Sequence, residues 1–266
     1  MKEINTIISD LDGTLFYDGT KNNPELTQEN INAIYAWINQ GKRFIIASGR
    51  TGVIVDEFKE KYNLDVDMIA CNGGKIIINH QTVYQSPIAK ETILKLESLL
   101  RPYQDELDFM LDMENPYKVA FLPNDLINTV YNPHHDPVYS IEDYFKNENA
   151  MLPCKIFMPI HRAERMPFFY QMLCEEFKDQ LKITRSSSTT LELCNANISK
   201  GASLLKLIEL LKLDLDEIIV VGDEENDIEL FTTSKHSAVM AQAKEKIKAY
   251  ADEETPSVAA LIYKYL

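Results

Sequence analysis

The chain has 266 residues, of which 45% are hydrophobic and 26% are charged, and 41 acidic side chains against 27 basic ones give a formal net charge of −14. This acidity argues against a nucleic-acid partner or an anionic membrane surface, because proteins that bind either usually present a basic face. The length is typical of about two domains with an ordinary hydrophobic core.

The cysteines and the first residues indicate the compartment. Cys71, Cys154, Cys174 and Cys194 lie far apart, without the close Cys or His spacing of a zinc or redox motif. We therefore expect reduced, mostly buried thiols. The apolar run near the first residue is too short for a signal peptide or a membrane span, and we predict a cytoplasmic protein. The sequence does not indicate an oligomeric state.

Short apolar segments rich in Ile and Val alternate with amphipathic helix patterns near both ends of the chain. This alternation is typical of β-α-β units around a parallel sheet. The predicted strands are residues 4–9, 43–48, 68–71, 218–221 and 236–240. The predicted helices begin at Pro24, at Lys200 and after Thr255.

The middle of the chain has a different pattern, with strands next to strands and helices between them. Helices are predicted at 88–103 and 162–177, and strands at 107–111, 118–121, 155–158 and 181–184. We therefore predict an α/β fold. It has a doubly wound, Rossmann-like parallel-sheet core of residues 1–83 and 192–266, with an α+β cap domain inserted at residues 84–191.

Three of the predicted strands end in polar residues. These residues are Asp10 and Asp12, then Ser48 and Gly49, and then Asp223 and Asp227. In a parallel sheet, ligands bind outside the carboxyl ends of the strands, so we expect the three groups to converge. Several carboxylates within a few ångströms require a compensating cation, and hard oxygen ligands in an open site favour Mg²⁺.

A phosphoryl group fits this predicted site. The hydroxyl and amides at Ser48 and Gly49 supply hydrogen-bond donors, and Lys200 at a helix start supplies a positive charge. A carboxylate nucleophile divides phosphoryl transfer into two displacements, and a second carboxylate can protonate the leaving oxygen and then activate water. Asp10 and Asp12 are two residues apart, a spacing at which both can point to the same side.

Four short motifs, in this order along the chain, resemble those of the haloacid dehalogenase superfamily. They are Asp10-Leu11-Asp12-Gly13-Thr14-Leu15, Ser48-Gly49-Arg50, Lys200-Gly201 and Gly222-Asp223-x-x-Asn226-Asp227. The long insertion between the second and third motifs is similar to that of Cof-type phosphatases with a large α+β cap of the C2B type. The resemblance implies a Mg²⁺-dependent phosphatase that hydrolyses small phosphomonoesters, such as a sugar phosphate or a related metabolite.

The resemblance also implies individual roles. Asp10 would form an aspartyl phosphate, and Asp12 would act as the general acid and base. Mg²⁺ would be held by the carboxylates of Asp10 and Asp223 and by the backbone carbonyl of Asp12. The residues expected at the phosphoryl group are the Leu11 amide, Ser48, Gly49, Lys200 and Asn226. Asp227 would lie behind these groups and position Lys200 or a metal-bound water.

Two further positions have open interpretations. Asn72 follows a predicted strand, and it is either a hairpin-turn residue or a residue that faces the substrate. Glu224 stands where the family often has a small residue, so it either crowds the metal or binds it through water. Met240-Ala241-Gln242-Ala243 replaces a Met-Gly-Asn-Ala run that is common in the family, which leaves the geometry of that loop open.

Other interpretations of the same residues remain. An acidic stretch such as 223–227 is also typical of a solvated helix start, and Ser48-Gly49-Arg50 of a strand-to-helix turn. We interpret His134, His135 and Asp136 as part of a solvated loop. The alternative functions are a phosphomutase or phosphotransferase acting on phosphosugars, and a noncatalytic protein that binds a phosphorylated metabolite. The substrate is open among sugar phosphates, pyridoxal phosphate, flavin mononucleotide and nucleoside monophosphates.

Acidic side chains are concentrated around the proposed metal ligands. Residues 214–229 include eight acidic side chains and no basic one. Nearby charges dominate over distant ones at physiological salt. We therefore expect an anionic substrate to bind poorly until Mg²⁺ is bound.

Overall fold

The computed structural model describes residues 2–20, 25–111, 118–120 and 138–266. It divides the chain into two compact units. Unit 1 consists of Met1–Gln85 and Ser199–Leu266, and unit 2 of Ser86–Ile198. Within the described part of the chain, no helix is long and apolar enough to cross a membrane.

The regular elements are numbered in chain order. The strands are β1 (Thr6–Ser9), β2 (Arg43–Ala47), β3 (Asp67–Ala70), β4 (Lys75–Ile78), β5 (Gln81–Gln85), β6 (Met110–Leu111), β7 (Lys118–Ala120), β8 (Val138–Ser140), β9 (Lys155–Pro159), β10 (Leu181–Arg185), β11 (Thr190–Asn195), β12 (Ile218–Gly222), β13 (Ser237–Met240) and β14 (Glu253–Thr255). The helices are α1 (Gln28–Asn39), α2 (Val53–Tyr62), α3 (Lys90–Leu100), α4 (Ile141–Tyr144), α5 (Met166–Phe177), α6 (Lys200–Leu211), α7 (Ile228–Thr233), α8 (Glu245–Lys248) and α9 (Val258–Tyr265).

Unit 1 contains an eight-stranded sheet with the strand order β14-β13-β12-β1-β2-β3-β4-β5. The strands from β14 to β3 are parallel, whereas β4 and β5 are antiparallel to their neighbours. β1 lies inside the sheet, with Ile7 opposite Ile219 of β12 on one side and Phe44 of β2 on the other. The predicted doubly wound parallel-sheet core is confirmed.

Burial explains why the core strands have continuous apolar sequences. Every residue of β1, β3, β12 and β13 is buried, and most of these residues are apolar on both faces of the sheet. On one face, Leu204 and Leu207 of α6 and Phe231 of α7 pack with Ile8 and Ile45 of the sheet. Elsewhere in unit 1, α1 packs against β2 and α9.

The predicted start of the first helix was wrong. The helix α1 begins at Gln28 and not at Pro24, because the Thr27 hydroxyl accepts a hydrogen bond from the backbone N–H of Asn30 at 3.1 Å and caps the helix there. The last helix also begins later than expected, because Ser257 caps α9 in the same way. A side-chain cap therefore sets both helix starts.

Unit 2 contains a six-stranded sheet with the order β10-β11-β9-β6-β7-β8. Its pairs are antiparallel except for the parallel pair β7–β8. The helices α3 and α5 pack on this sheet, with Leu96 and Phe169 in one cluster with Met158. This is an α+β arrangement. The predicted loop with His134 and His135, together with Asp136, lies outside the described residues.

The strand β11 belongs to unit 2, so this unit ends later in the chain than the predicted insertion. The predicted insertion ends at residue 191, inside β11 (Thr190–Asn195). This strand pairs with β10 on one side and β9 on the other, so unit 2 continues to Ile198. Local sequence does not show which sheet such a strand joins, because the partner strands are distant along the chain. That unit 2 acts as a cap stays a prediction.

Candidate active site

The predicted site residues follow the carboxyl ends of β1, β2 and β12. The chain passes from β1 through α1 to β2 on one side, and it later enters β12 on the other side, so the strand order reverses beside β1. Ligand sites of open α/β sheets lie at such a reversal. Backbone hydrogen bonds join the loops here, from Asp10 N–H to the Val221 carbonyl at 2.8 Å and from Ser48 N–H to the Ile69 carbonyl at 2.9 Å.

A buried lysine links two of the predicted carboxylates. The ammonium of Lys200 donates to Asp10 Oδ1 at 2.6 Å and to Asp227 Oδ1 at 2.7 Å, and its side chain is 0% exposed. Lys200 is the first residue of α6, whose N-cap is Ser199. A cation at a helix N-terminus is unfavourable by itself, so the two carboxylates stabilise it there.

The close approach of α6 to its neighbour places the lysine. A Cβ atom on Gly201 would lie 2.5 Å from the Glu229 carbonyl oxygen of α7. A larger residue would therefore push the start of α6 away from α7. Glycine at this position lets the two helices approach until Lys200 reaches the carboxylates.

The pKa values of the linked groups reflect burial and charge. Burial would lower the pKa of Lys200, but the negative charges of Asp10 and Asp227 outweigh it and raise that pKa above its ordinary value. Burial raises the pKa of Asp10 well above its ordinary value, although Lys200 acts against this. Burial also raises the pKa of Asp223 to about 6, against the lowering effect of a hydrogen bond from Thr14.

The loop after β1 is folded tightly against Asp223. It forms one wide turn over Leu11–Leu15, in which Gly13 has a positive φ of 86°. A Cβ atom on Gly13 would overlap the Asp223 carboxylate, so glycine is required both for the backbone conformation and for this approach. The Thr14 hydroxyl donates to Asp223 Oδ1 at 2.7 Å. The loop therefore holds one oxygen of Asp223 in place.

Asp227 organises the loop after β12. Its Oδ2 accepts hydrogen bonds from the backbone N–H groups of Asp223 at 3.0 Å and Glu224 at 3.1 Å, while its Oδ1 accepts from Lys200. A Cβ atom on Gly222 would overlap the Asp227 side chain. Both oxygens of Asp227 are thus engaged in holding the loop and the lysine.

The carboxylates fit a hard divalent cation. Asp10, Asp223 and Asp227 each offer an oxygen within 4.8 Å of the other two. Together they carry more negative charge than Lys200 balances, and burial raises the pKa of Asp10 and of Asp223, which disfavours their ionised forms. An all-oxygen donor set of this kind suits Mg²⁺. Because Asp227 is already engaged by three donors, Asp10 and Asp223 are the better ligands.

A second group of predicted residues lies beside the loop after β2. Asn72 has a left-handed backbone with φ of 53°, and its N–H donates to the Ser48 carbonyl at 3.0 Å. Its side-chain carbonyl accepts from the Asn226 amide at 3.3 Å. A Cβ atom on Gly49 would lie 3.1 Å from the Asn72 amide group. Asn72 is therefore a turn residue that also joins the second and fourth motifs.

Ser48 itself is buried, and its hydroxyl accepts a hydrogen bond from the backbone N–H of Arg50 at 3.1 Å. That bond leaves the hydroxyl proton available to donate elsewhere. Leu11 is the first residue of the wide turn, and its side chain is buried. The expected contacts of Ser48 and the Leu11 amide with a phosphoryl group stay predictions.

Arg50 was missed as a functional residue, although it belongs to the second motif. Its guanidinium donates to both oxygens of Asp12, from Nε to Oδ2 at 2.9 Å and from the terminal NH2 group to Oδ1 at 2.6 Å. The Asp12 side chain is 52% exposed and that of Arg50 42% exposed. Asp12 thus points to a more exposed place than Asp10.

Two departures from the usual family pattern have a structural reason. The carboxylate of Glu224 lies 3.0 Å from the Lys244 ammonium, and this ion pair is exposed. The Gln242 amide donates to the Gly13 carbonyl at 2.6 Å. Gln242 therefore supports the loop after β1 from the loop after β13. The side chain of Glu224 is held by a lysine, which favours a structural role for it over a metal ligand.

Lysines from other segments offset the acidic stretch 214–229. Besides Asp227, which is paired with Lys200, four of its carboxylates are in ion pairs with lysines that lie elsewhere in the sequence. These pairs are Asp214–Lys2, Asp216–Lys235, Glu224–Lys244 and Glu225–Lys246. The negative charge of this stretch is therefore partly neutralised by lysines in the folded protein. Most of these lysines pair with the carboxylates that are not buried.

A cavity of about 370 Å³ lies at the opposite end of β2 and β3, away from these residues. Its charged side chains are engaged with one another or with neighbours, as in the pairs Arg43–Asp67 and His80–Asp65. The position of the cavity does not match the reversal of strand order. We therefore place the active site at the carboxyl ends of the strands.

Comparisons with known proteins identify the family of the chain. A sequence profile described as haloacid dehalogenase-like hydrolase matches residues 7–260. A Bacillus subtilis 5-amino-6-(5-phospho-D-ribitylamino)uracil phosphatase is 24% identical over 252 residues, which cover 94% of this chain and 89% of that protein.

Solved structures share the fold. The crystal structure of TM0651 from Thermotoga maritima aligns with a TM-score of 0.80 at 24% identity, covering 98% of this chain and 96% of the other. A haloacid dehalogenase-like hydrolase from Bacteroides thetaiotaomicron aligns with a TM-score of 0.82 at 23% identity, covering 99% and 100%. In each of these two comparisons, the shared fold covers nearly the whole length of this chain and of the matched protein.

Proposed function

Because the chain belongs to the haloacid dehalogenase-like hydrolase family, we propose that it is a Mg²⁺-dependent phosphatase that hydrolyses small phosphomonoesters through an aspartyl phosphate on Asp10. The observation that carries this proposal is the fully buried Lys200, which links Asp10 to Asp227 beside Asp223. A solvated acidic helix start does not require a buried lysine between two carboxylates.

The metal ligands are proposed from the cluster of carboxylates and, for Asp12, from the resemblance to the family. Mg²⁺ would be held by the carboxylates of Asp10 and Asp223 and by the backbone carbonyl of Asp12. When bound, it offsets the negative charge of these carboxylates and of the phosphoryl oxygens. Thr14 and Asp227 orient the site, since each binds Asp223 through a hydrogen bond.

The chain's own residues supply the two displacements. The Asp10 carboxylate attacks phosphorus, the bond between phosphorus and the leaving oxygen breaks, and Asp12 donates a proton to that oxygen. Asp12 then takes a proton from a water molecule, whose oxygen attacks phosphorus and releases phosphate from Asp10. Lys200 fixes the Asp10 carboxylate through Oδ1 and keeps a positive charge beside the transferring group.

Donors for the phosphoryl oxygens are proposed from both groups of residues. The amide of Leu11, the hydroxyl of Ser48, the amide of Gly49 and the side chain of Asn226 would bind them together with Lys200. The link between Asn226 and Asn72 supports this assignment, because it brings the second and fourth motifs to one place.

The substrate class is a small phosphorylated metabolite, such as a sugar phosphate. The Bacillus subtilis relative is named for a substrate that carries its phosphate on a ribityl chain, which is a phosphomonoester of a polyol. We propose that unit 2 supplies specificity for the rest of the substrate. Cys71, Cys154, Cys174 and Cys194 are all free thiols, which favours action in the reducing cytoplasm.

The test is phosphate release from a panel of phosphomonoesters, with Mg²⁺ and with a chelator, by the parent protein and by Asp10→Asn. The variant keeps the shape of the side chain and removes the nucleophile, so it should release no phosphate above background. Asp67→Asn is the matched control, since Asp67 is also a buried aspartate paired with a cation, and it should retain activity.

Other outcomes would replace the proposal. Transfer of phosphate to a sugar hydroxyl without net release would identify a phosphotransferase or phosphomutase. Affinity for phosphosugars without turnover at any Mg²⁺ concentration would identify a binding protein. Activity retained in Asp10→Asn would exclude the aspartyl phosphate.

A further inference from the structure

The pair formed by Asp12 and Arg50 is joined at two points, whereas the Arg43–Asp67 pair of the same unit is joined at one. Both oxygens of Asp12 accept from the guanidinium, at 2.6 and 2.9 Å. Such a two-point fork fixes the plane of the carboxylate as well as its distance. A single-point pair would allow the carboxylate to rotate.

Arg50 is in turn held by contacts on several sides. Its backbone N–H donates to the Ser48 hydroxyl at 3.1 Å, and its carbonyl accepts from the Cys71 N–H at 2.8 Å. The guanidinium carbon lies 5.2 Å from the centre of the Phe16 ring, on its face. The fork is therefore anchored both to the loop after β2 and to the end of the turn that carries Asp12.

The fork is compatible with proton transfer. A carboxylate has about four lone-pair sites, and the two hydrogen bonds from Arg50 occupy one on each oxygen. The remaining sites can accept a proton from water, or hold the proton that passes to a leaving oxygen. Arg50 can thus orient Asp12 without blocking it.

Stability does not explain the pair. Both side chains are about half exposed, and exposed ion pairs contribute little to the free energy of unfolding. The Arg50 guanidinium instead binds, at two points, the one carboxylate to which the proposed reaction assigns both proton transfers.

We propose that Arg50 is a positioning residue that acts through Asp12, by holding its carboxylate in the orientation needed to protonate the leaving group and then to activate water. The inference rests on the proposed function, because it needs Asp12 as the general acid and base. It assigns no contact between Arg50 and the substrate.

The chain supplies a matched control at the other end of β2. Arg43 forms an ion pair with Asp67 at 2.7 Å, and its side chain is 42% exposed, the same fraction as that of Arg50. Arg43 takes no part in the proposed site. Arg43→Lys and Arg50→Lys therefore make the same chemical change, of which only the second alters the fork on Asp12.

The first test compares kcat and KM of the two variants for an aryl and an alkyl phosphate. Lysine keeps the charge but binds at one point, so Arg50→Lys should lower kcat about tenfold or more while KM changes less than about twofold, as expected for lost orientation. The loss should be larger for the alkyl phosphate, whose leaving oxygen needs the proton. Arg43→Lys should match the parent protein, and thermal unfolding should show that both variants are folded.

The second test is a double-mutant cycle with Asp12→Asn. This variant can still form the aspartyl phosphate from an aryl phosphate, so the burst of released phenol reports the first displacement without Asp12. If Arg50 acts through Asp12, adding Arg50→Lys should leave the burst rate unchanged.

Two results would overturn the inference. One is an Arg50→Lys kcat equal to that of Arg43→Lys. The other is a slower burst, or weaker binding of inorganic phosphate, when Arg50→Lys is added to Asp12→Asn, since either would place Arg50 on the substrate. If the parent protein releases no phosphate at all, the proposed function has failed instead.

Discussion

Two ionic regions of unit 1 differ in burial, one being almost fully buried and the other about half exposed. Lys200, its partners Asp10 and Asp227, and the neighbouring Asp223 together form what we call the buried cluster, and they lie mostly away from solvent. Asp12 and Arg50, which we call the exposed pair, are about half exposed. In the buried cluster, loss of the Lys200 charge leaves the carboxylates of Asp10 and Asp227 without compensation, which destabilises the fold. In the exposed pair, water replaces a lost partner. The two regions should therefore respond differently to substitution.

The largest expected effect is the removal of the ammonium from the buried cluster. Lys200→Met should lower the free energy of unfolding by about 3–5 kcal/mol in the absence of Mg²⁺, because the carboxylates of Asp10 and Asp227 lose their buried partner. Urea unfolding followed by circular dichroism measures this loss. Lys206→Met is the control, since Lys206 is an exposed lysine on the same helix, and it should change stability by less than about 1 kcal/mol. Equal stabilities of the two variants would contradict the comparison.

The second effect tests how tightly the loop after β1 packs on the cluster. Gly13→Ala should destabilise the protein by about 2–4 kcal/mol, because the new Cβ overlaps Asp223 and the backbone has a positive φ. Gly41→Ala is matched in φ, at 78° against 86°, but has open space around its Cβ. It should cost only about 1 kcal/mol.

Binding of Mg²⁺ should also distinguish the two glycines. Gly13→Ala displaces a proposed metal ligand, so its Mg²⁺ affinity, measured by calorimetry, should fall. Gly41→Ala should bind Mg²⁺ like the parent protein. If the two variants have the same Mg²⁺ affinity, the packing of Gly13 on Asp223 does not matter for the site.

The third effect is the pH dependence of Mg²⁺ binding. Burial raises the pKa of Asp223 to about 6 and that of Asp10 in the same direction, and the metal binds only the ionised form. The Kd for Mg²⁺ should therefore be about tenfold higher at pH 5 than at pH 7, because a proton competes for the Asp223 carboxylate. Calorimetric titration at the two pH values measures this ratio. A Kd that does not change would contradict it.

The metal-free protein should show the opposite trend. The pKa of Asp223 is higher in the folded state than its ordinary 3.8. Its contribution to stability is therefore fully present below about pH 4 and is lost as the pH rises through about 6. Mg²⁺ should consequently raise the midpoint of thermal unfolding more at pH 7 than at pH 5.

The smallest expected effect lies in the exposed pair. Arg50→Ala should lower the free energy of unfolding by less than about 1 kcal/mol, since the pair is solvated. Urea unfolding, measured as for Lys200→Met, gives the value. A loss as large as that of Lys200→Met would show that the exposed pair also maintains the fold, and the distinction between the two regions would then disappear.

The sequence was sufficient to predict the parallel-sheet core, because two simple rules relate a buried parallel strand to its sequence. A strand buried on both faces requires a continuous apolar run, and the carboxyl ends of parallel strands share one edge. These two rules predicted Asp10 and Asp223 at one edge of the sheet, whereas Lys200 was assigned to the same site as a helix-start cation and through the resemblance to the family. The structure brings all three together.

The sequence did not predict the features that depend on contacts between residues far apart along the chain. Arg50 reaches Asp12, 38 positions away, and Gln242 reaches Gly13, 229 positions away. The local sequence pattern does not predict such contacts. β11 joins the sheet of unit 2 for the same reason, since its pairing with β9 and β10 comes from tertiary structure.

The central claim is that Asp10 carries the phosphoryl group. Asp12→Asn should accumulate this intermediate, because the nucleophile and Lys200 remain while the base that activates water is lost. Peptide mass spectrometry after rapid quenching, with an aryl phosphate and Mg²⁺, should find a phosphoryl group on Asp10 in Asp12→Asn and none in the Asp10→Asn protein. Phosphate release by the parent protein, with no phosphoryl group on Asp10 or with one on another residue, would contradict the account.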